Sequence, residues 1–269
     1  MIPAAVRYHR ASSLDDALEA LAEPDAKALA GGMSLLPVMK LRIARPELVV
    51  DIGRLDLAGI VLTEDALRIG ALTTWDALAR ASELASAGLA AIPQCAGLIG
   101  DLQVRNRGTL GGGLAHADPA SDMPAVLLAL AAEVKTRSPD GERSVPLSEL
   151  VVGPFTTVLG ERELVTEVVV SVPPPGSGSA YAAVEHPASG FALAGAAALV
   201  RPDGSSAVAL TGVGPRAFLL HDGDDPTALP DDVEVLDDRF APAEYRRELA
   251  TIVVRRALER ARKRSEEGS

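Results

Sequence analysis

Residues 105–122 read RNRGTLGGGLAHADPASD, with four glycines in the six positions 108 to 113, Arg105 and Arg107 before them and Asp118 and Asp122 after. Glycine reaches positive φ freely and has no Cβ, so such a run lets main-chain N–H groups converge on a bulky anion, most often a phosphate. A shorter set, AGGMSLL (Ala30 to Leu36), joins Gly31 and Gly32 to Ser34, whose hydroxyl is placed to cap a helix or to bond a phosphate oxygen. Alone, each set is also what a tight turn requires. Two such turns, each beside a small hydroxyl residue (Ser34, Thr109), are able to clamp a diphosphate from two sides, and FAD has such a diphosphate. Arg105 and Arg107 either neutralise phosphate charge or are surface groups. Asp122 reads equally as an acceptor for a ribose or ribityl hydroxyl and, with Asp118, as a cap of the helix that Pro124 helps to start.

Other chemistries find less support. GxGxxG is absent, and only Asp51 ends a strand near where a Rossmann nucleotide site would need an acid, so an NAD site of that type is disfavoured. GxSxG is absent, no Ser/His/Asp order stands out, and no helix-spaced carboxylates suggest a di-metal site. His9, His116, His186 and His221 lie far apart without HExxH-type pairing. Cys95, the single cysteine, excludes an intramolecular disulfide and any cysteine-held cluster built by this chain alone, and reads as a small buried hydrophobe. Redox chemistry would therefore need an organic cofactor, and no catalytic or metal-ligating residue is assigned.

The elements positioning these turns follow from the bulk sequence. The chain has 269 residues, 48% apolar and only 3% aromatic, which predicts an Ala/Leu/Val core in one elaborate domain or two or three compact ones. A net charge of −11 without a basic stripe argues against nucleic acid. The apolar runs are too short to span a membrane and Met1 to Ser13 lacks a signal-peptide core, which predicts a cytoplasmic protein. Ser12 or Ser13 caps a helix from Leu14 that Pro24 stops, Lys27 to Ala30 reads as a strand, and Leu48 to Ile52 as another, giving an α/β lobe. Mixed α+β patterns follow: GIVL, ALRIGAL and EVKTR as strands, TTWDALARASEL and the segment to about Cys95 as helices. Pro173 to Ala180 reads as a linker or hairpin, with a boundary near residue 175. Beyond it, two antiparallel strands flank the turn Arg201 to Gly204, and a helix follows whose last residues, RKRSEEGS, fray.

The strings AGGMSLLPVMKLRIARPELVVDI, IGALTTWDALA, IGDLQVRNRGTLGGGLAHADPASDMPAVLLAL, GPFTTVLGERELVTEV, EHPASGFALAGAAA and LTGVGP occur in order between about residues 5 and 260. Together they resemble the FAD-binding medium subunit of the molybdenum hydroxylases, the xanthine dehydrogenase and aerobic carbon monoxide dehydrogenase family. The resemblance implies an α+β fold of the vanillyl-alcohol-oxidase (PCMH) type: an N-terminal α/β lobe (1–57), a second α+β lobe (58–174) and a C-terminal antiparallel sheet with helices (175–269). It places FAD against Ala30, Gly31, Gly32, Met33, Ser34 and Leu35, and against Thr109, Leu110, Gly111, Gly112 and Gly113, with backbone amides on the diphosphate. Asp122 and Leu164 fall on further cofactor positions, Ile99 falls where xanthine oxidoreductases carry a phenylalanine over the flavin, and Phe191 matches an aromatic near the ring. Two departures stand out. Ala183 replaces a lysine found in many relatives and Gly113 an Asn or Ser, changes that bear on affinity and flavin potential.

The resemblance further implies partners: a small subunit with two [2Fe–2S] clusters and a large molybdopterin subunit, in a dimer of heterotrimers. Electrons would pass from the clusters through FAD to NAD, quinone or dioxygen. A free-standing flavin oxidase of the same fold and a scaffold that has lost FAD are the alternatives.

Overall fold

A computed structural model describes residues 2–220, 229 and 233–267 of the chain. It opens with β1 (Arg7–Arg10), α1 (Leu14–Ala20), β2 (Ala26–Leu29), α2 (Leu35–Lys40) and β3 (Leu48–Asp51). β3 lies between β1 and β2 and runs parallel to both, pairing Val50 with His9 and with Ala28. The Ser13 hydroxyl caps α1 by accepting the Asp16 N–H, and Ala17, Leu18 and Leu21 pack with Leu48, Val50 and Ile52 into a small core. The sequence reading contains no β1. Its residues RYHR are polar and mostly exposed, so pairing with the apolar β3, rather than any local pattern, makes it a strand.

The chain then forms β4 (Ile60–Leu62), β5 (Ala66–Gly70), α3 (Trp75–Arg80), α4 (Ala91–Leu98), α5 (Leu102–Arg105), α6 (Leu110–His116) and α7 (Met123–Ala129). After these come β6 (Glu133–Ser138), β7 (Gly141–Pro146), α8 (Leu147–Leu150), β8 (Val151–Gly153), β9 (Thr156–Thr157) and β10 (Leu164–Ser171). An antiparallel sheet of order β4-β5-β10-β6-β7 results, with the late β10 inserted between early strands. Its inner residues Leu67, Ile69, Val134, Val168 and Val170 bury against Trp75, Leu78, Ile92, Cys95 and Leu127 of the helices. The core is aliphatic, as the composition predicts.

The last part contains β11 (Gly178–Glu185), β12 (Ala192–Val200), β13 (Ser206–Thr211), β14 (Phe218–Leu219) and α9 (Ala243–Glu267). β12 is buried along its whole length, and its alternation divides it between two cores: Ala197 and Leu199 join the helices α4 and α7, whereas Ala194, Ala196 and Ala198 meet Val253, Val254 and Ala257 of α9. Small side chains let both layers approach closely.

Two expectations need correction here. The linker expected at Pro173 to Ala180 ends earlier, because β11 starts at Gly178, where a Cβ would lie 2.2 Å from the Ala261 carbonyl oxygen of α9. The expected fraying of RKRSEEGS does not occur up to Glu267, since Arg264 donates to Gln94 Oε1 (2.9 Å) and the Ser179 carbonyl (2.6 Å) and Ser265 is buried. Gly268 and Ser269 lie outside the described residues, as does His221. No described helix is long and apolar enough to cross a membrane.

Arg246 of α9 is 4% exposed and donates to the carbonyls of Leu193 (2.9 Å) and Gly212 (2.6 Å) and to both carboxylate oxygens of Asp238 (3.0 and 2.9 Å). Arg246→Ala strands these acceptors, so we expect a loss of about 3 kcal/mol, read as a lower urea midpoint.

Candidate cofactor site

The first glycine turn leaves the carboxyl end of β2. Gly32 sits at φ +79°, which turns the chain into α2 and which a side chain would strain. Ser34 precedes α2 but makes no side-chain cap hydrogen bond, so its hydroxyl is available to a ligand. Among the described residues, the N–H groups of Gly31, Gly32, Met33 and Ser34 have no hydrogen-bond partner. Four successive donors without acceptors, in half-buried or buried backbone, are groups that a ligand oxygen is expected to satisfy.

The second turn meets the first. A Cβ on Gly31 would lie 1.9 Å from the Arg107 carbonyl oxygen, and a Cβ on Gly112 would lie 3.7 Å from the Ala30 Cβ. Glycine at Gly31 is thus required by contact between the turns, and the exposed Gly112 keeps the gap between them open.

The glycine run itself works differently from what its composition suggests. It supplies no positive φ and no free amides from Leu110 to Gly113: Leu110 N–H bonds the Thr73 carbonyl (2.9 Å), Gly111 the Ala71 carbonyl (2.8 Å), Gly112 the Thr109 hydroxyl (3.2 Å) and Gly113 the Thr109 carbonyl (2.9 Å). The reason is packing. A Cβ at Gly108 or Gly113 would lie 2.7 Å from the Trp75 ring, and one at Gly111 2.6 Å from Ala71 Cβ. Here glycine lets α6 settle on the start of α3, and of this turn's amides only the Thr109 N–H joins those of Gly31–Ser34 in having no hydrogen-bond partner among the described residues.

Leu164, at the start of β10, is buried in the small core against which Ala30 also packs. Ile99 is half-buried at the end of α4, and Arg105 donates to its carbonyl (3.3 Å) and to that of Gly100 (2.6 Å). Phe191 is 49% exposed beside β12, its carbonyl accepting the His186 N–H at 2.8 Å. Ala183, on β11, packs partly buried on the main core. Met33, Leu35 and the buried Leu110 complete the turns.

Asp122 departs from its capping reading. It makes no side-chain cap for α7, and its Oδ1 accepts the Tyr181 hydroxyl inside the core, where Asp122 is 6% exposed. Burial, with the charges of Glu185 and Asp118 adding to it, pushes its pKa up to about 6 although the Tyr181 bond opposes the rise. Asp118 instead accepts the Ala120 N–H at 2.9 Å. Burial, and secondarily the Asp122 charge, raises the Cys95 thiol well above its ordinary value, as suits an inert side chain.

Sequence reasoning missed Trp75, Ala71 and Tyr181. TTWDALA contains the Thr74 cap of α3, whose hydroxyl accepts the Ala77 N–H at 3.2 Å, but no local pattern tells that the indole lies under two glycines 33 and 38 residues later. His9 bonds Asp16 (2.8 Å), while His116 lies tilted against Phe155 and His186 edge-on to Phe240, and no group of His, Cys, Asp and Glu among the described residues could hold a metal. A wide cleft of about 670 Å³ opens elsewhere, on the outer face of the five-stranded sheet; its Arg68 and Arg143 are paired with Glu167 and Glu163, and neither glycine turn lines it.

An α/β lobe offering free amides, set against an α+β lobe through paired glycine turns, defines a cofactor-binding α+β protein. Residues 4–174 match the family described as the FAD binding domain in molybdopterin dehydrogenase. The carbon monoxide dehydrogenase medium chain of Afipia carboxidovorans is 36% identical, with 98% of this chain and 99% of that one covered. Subunit alpha of the 6-hydroxypseudooxynicotine dehydrogenase complex of Paenarthrobacter nicotinovorans is 43% identical over 76% of this chain and 69% of that one. The crystal structure of a Cu,Mo-CO dehydrogenase contains a chain that superposes with a TM-score of 0.90 at 35% identity, covering 98% of this chain and 100% of that one. The chain belongs to this family of FAD-binding oxidoreductase subunits, with its PCMH-type fold.

The raised pKa of Asp122 has a thermodynamic consequence. The folded state holds a proton up to about pH 6 that the unfolded chain releases near its ordinary value of 3.8, so this group's stabilisation is present below that value and is lost as pH rises through 6. Asp122→Asn, which still accepts from Tyr181, should therefore raise Tm at pH 7, with the gain shrinking toward pH 4. Thermal denaturation of both proteins across that range checks it.

Proposed function

We propose that this chain is the FAD-carrying, electron-transferring subunit of a molybdenum hydroxylase. The observation that carries the reading is the run of unpartnered amides from Gly31 to Ser34, beside the free Ser34 hydroxyl. Donors without acceptors fit a diphosphate, and a Cβ on Gly31 would break the turn that presents them. The turns at Ala30–Leu35 and Thr109–Gly113 would hold the diphosphate, with the α/β lobe (1–57) and the α+β lobe (58–174) on either side. Leu164, Ile99 and Phe191 would face the rest of the cofactor, Asp122 would fix the start of α7, and residues 175–269 would close the site.

Bound FAD supplies reversible electron transfer, so the chain itself needs no acid, base or nucleophile. Its residues bind and orient. The sole cysteine is buried, which supports clusters held by another chain. Relatives named as medium chains and complex subunits support a small and a large partner; in this reading the small one carries iron–sulfur clusters and the large one molybdopterin, in a dimer of heterotrimers. In this reading electrons enter from the iron–sulfur partner and leave to NAD, quinone or dioxygen.

The test is the visible spectrum of the purified chain, with chromatography of what denaturation releases. Released FAD is the expected result. A colourless protein that takes up no added FAD, alone or with its partner chains, overturns the reading in favour of a scaffold. Gly31→Ala should lose FAD by at least about tenfold in affinity, since 1.9 Å to a carbonyl oxygen forces the turns apart. Equilibrium dialysis against FAD measures it.

A further inference from the structure

We infer that Arg107 supplies the positive charge that complements the cofactor diphosphate, and that Arg105 does not; this rests on the assignment of the Gly31–Ser34 turn to FAD. The two arginines are indistinguishable in the sequence, both adjoining the glycine run. The structure separates them. Arg105 is committed to the carbonyls of Ile99 and Gly100, where it closes the end of α4. The exposed Arg107 guanidinium has no hydrogen bond and no carboxylate within 4.0 Å among the described residues.

Arg107 is also the residue at which the turns touch, its carbonyl against the Cα of Gly31, which puts its backbone at the edge of the amide cradle. Nearby, at the carboxyl end of β3, Asp51 accepts from the Gly53 N–H (2.9 Å) and the Tyr8 hydroxyl, with Arg10 at 3.9 Å. Burial raises the Asp51 carboxyl, but those two hydrogen bonds and then the charges of Arg10 and Arg107 hold it below its ordinary value. Arg107 is thus close enough for its field to reach Asp51 without pairing to it. Two cations around one carboxylate leave this junction positive, in a chain whose net charge is −11. Backbone amides offer only partial charges, whereas a diphosphate carries full ones, and a guanidinium forks onto phosphate oxygens.

The experiment is titration of the cofactor-free full chain with FAD at low and high salt, for the wild type, Arg107→Gln and Arg107→Lys, with Tm as the folding control. Arg107→Gln should weaken FAD binding about tenfold and flatten its salt dependence, Arg107→Lys should recover most of both, and Tm should hardly move, because the exposed side chain makes no hydrogen bond or ion pair among the described residues. An Arg107→Gln protein that binds FAD with wild-type affinity and salt dependence overturns this inference and leaves the cradle assignment standing. Equal losses in the glutamine and lysine variants also overturn it, since they would mark a steric rather than a charge effect. A wild type that takes up no FAD overturns the cradle assignment and this inference with it.

Discussion

The contact between the Gly31 Cα and the Arg107 carbonyl is the constraint around which the site is built. It joins the parallel α/β lobe to the helical layer of the second sheet at a distance that admits no Cβ. Close approach of this kind is indifferent to which atoms lie beyond it, but it fixes where the neighbouring amides point. With Gly31 held against Arg107 and Gly32 at positive φ, the N–H groups that follow cannot fold back onto β2 or β3. They remain as donors because the geometry that fuses the lobes denies them internal acceptors.

The opposite solution operates in the neighbouring glycine run. There each amide from Leu110 to Gly113 has an internal acceptor, two of them on the segment Ala71 to Thr73 that leads into α3. Trp75 fills the space that side chains at Gly108 and Gly113 would occupy. The second turn is consequently a rigid wall and the first a set of unsatisfied donors. Similar sequences, two glycine clusters next to a hydroxyl residue, reach different ends because one lies on a sheet edge and the other on an indole.

Much of this could be read locally. Ser13, Thr74, Asp101 and Thr109 sit one residue before helices that their side chains cap, and the apolar runs Leu48–Asp51 and Ala192–Val200 are strands. The two turns stand where their glycines suggest. What local pattern could not supply are relations across the chain. β1 is a strand because β3 lies beside it. β10 enters the sheet between strands formed far earlier, and Asp122 bonds a tyrosine 59 residues away that neither of its two readings included. In the glycine run, positive φ and close packing demand the same residue, and only the tertiary neighbour distinguishes them.

Asp122 shows how the same fold treats charge away from the turns. A buried carboxylate, opposed by Glu185 and Asp118, is tolerated where its single hydrogen bond ties α7 to β11, and Gln94 extends that tie by exchanging hydrogen bonds with the Tyr181 backbone. The C-terminal sheet is thereby anchored to the helices through polar contacts set among alanines, while apolar packing of β12 on both faces excludes water from them. Since α4 ends at Leu98 and α7 begins at Met123, the helices that receive these ties bracket the segment that carries α5, the glycine run and α6. Rigidity of the second turn thus depends on the third sheet as well as on Trp75, and the junction of the two glycine turns is held in register by a part of the chain that contributes no residue to it.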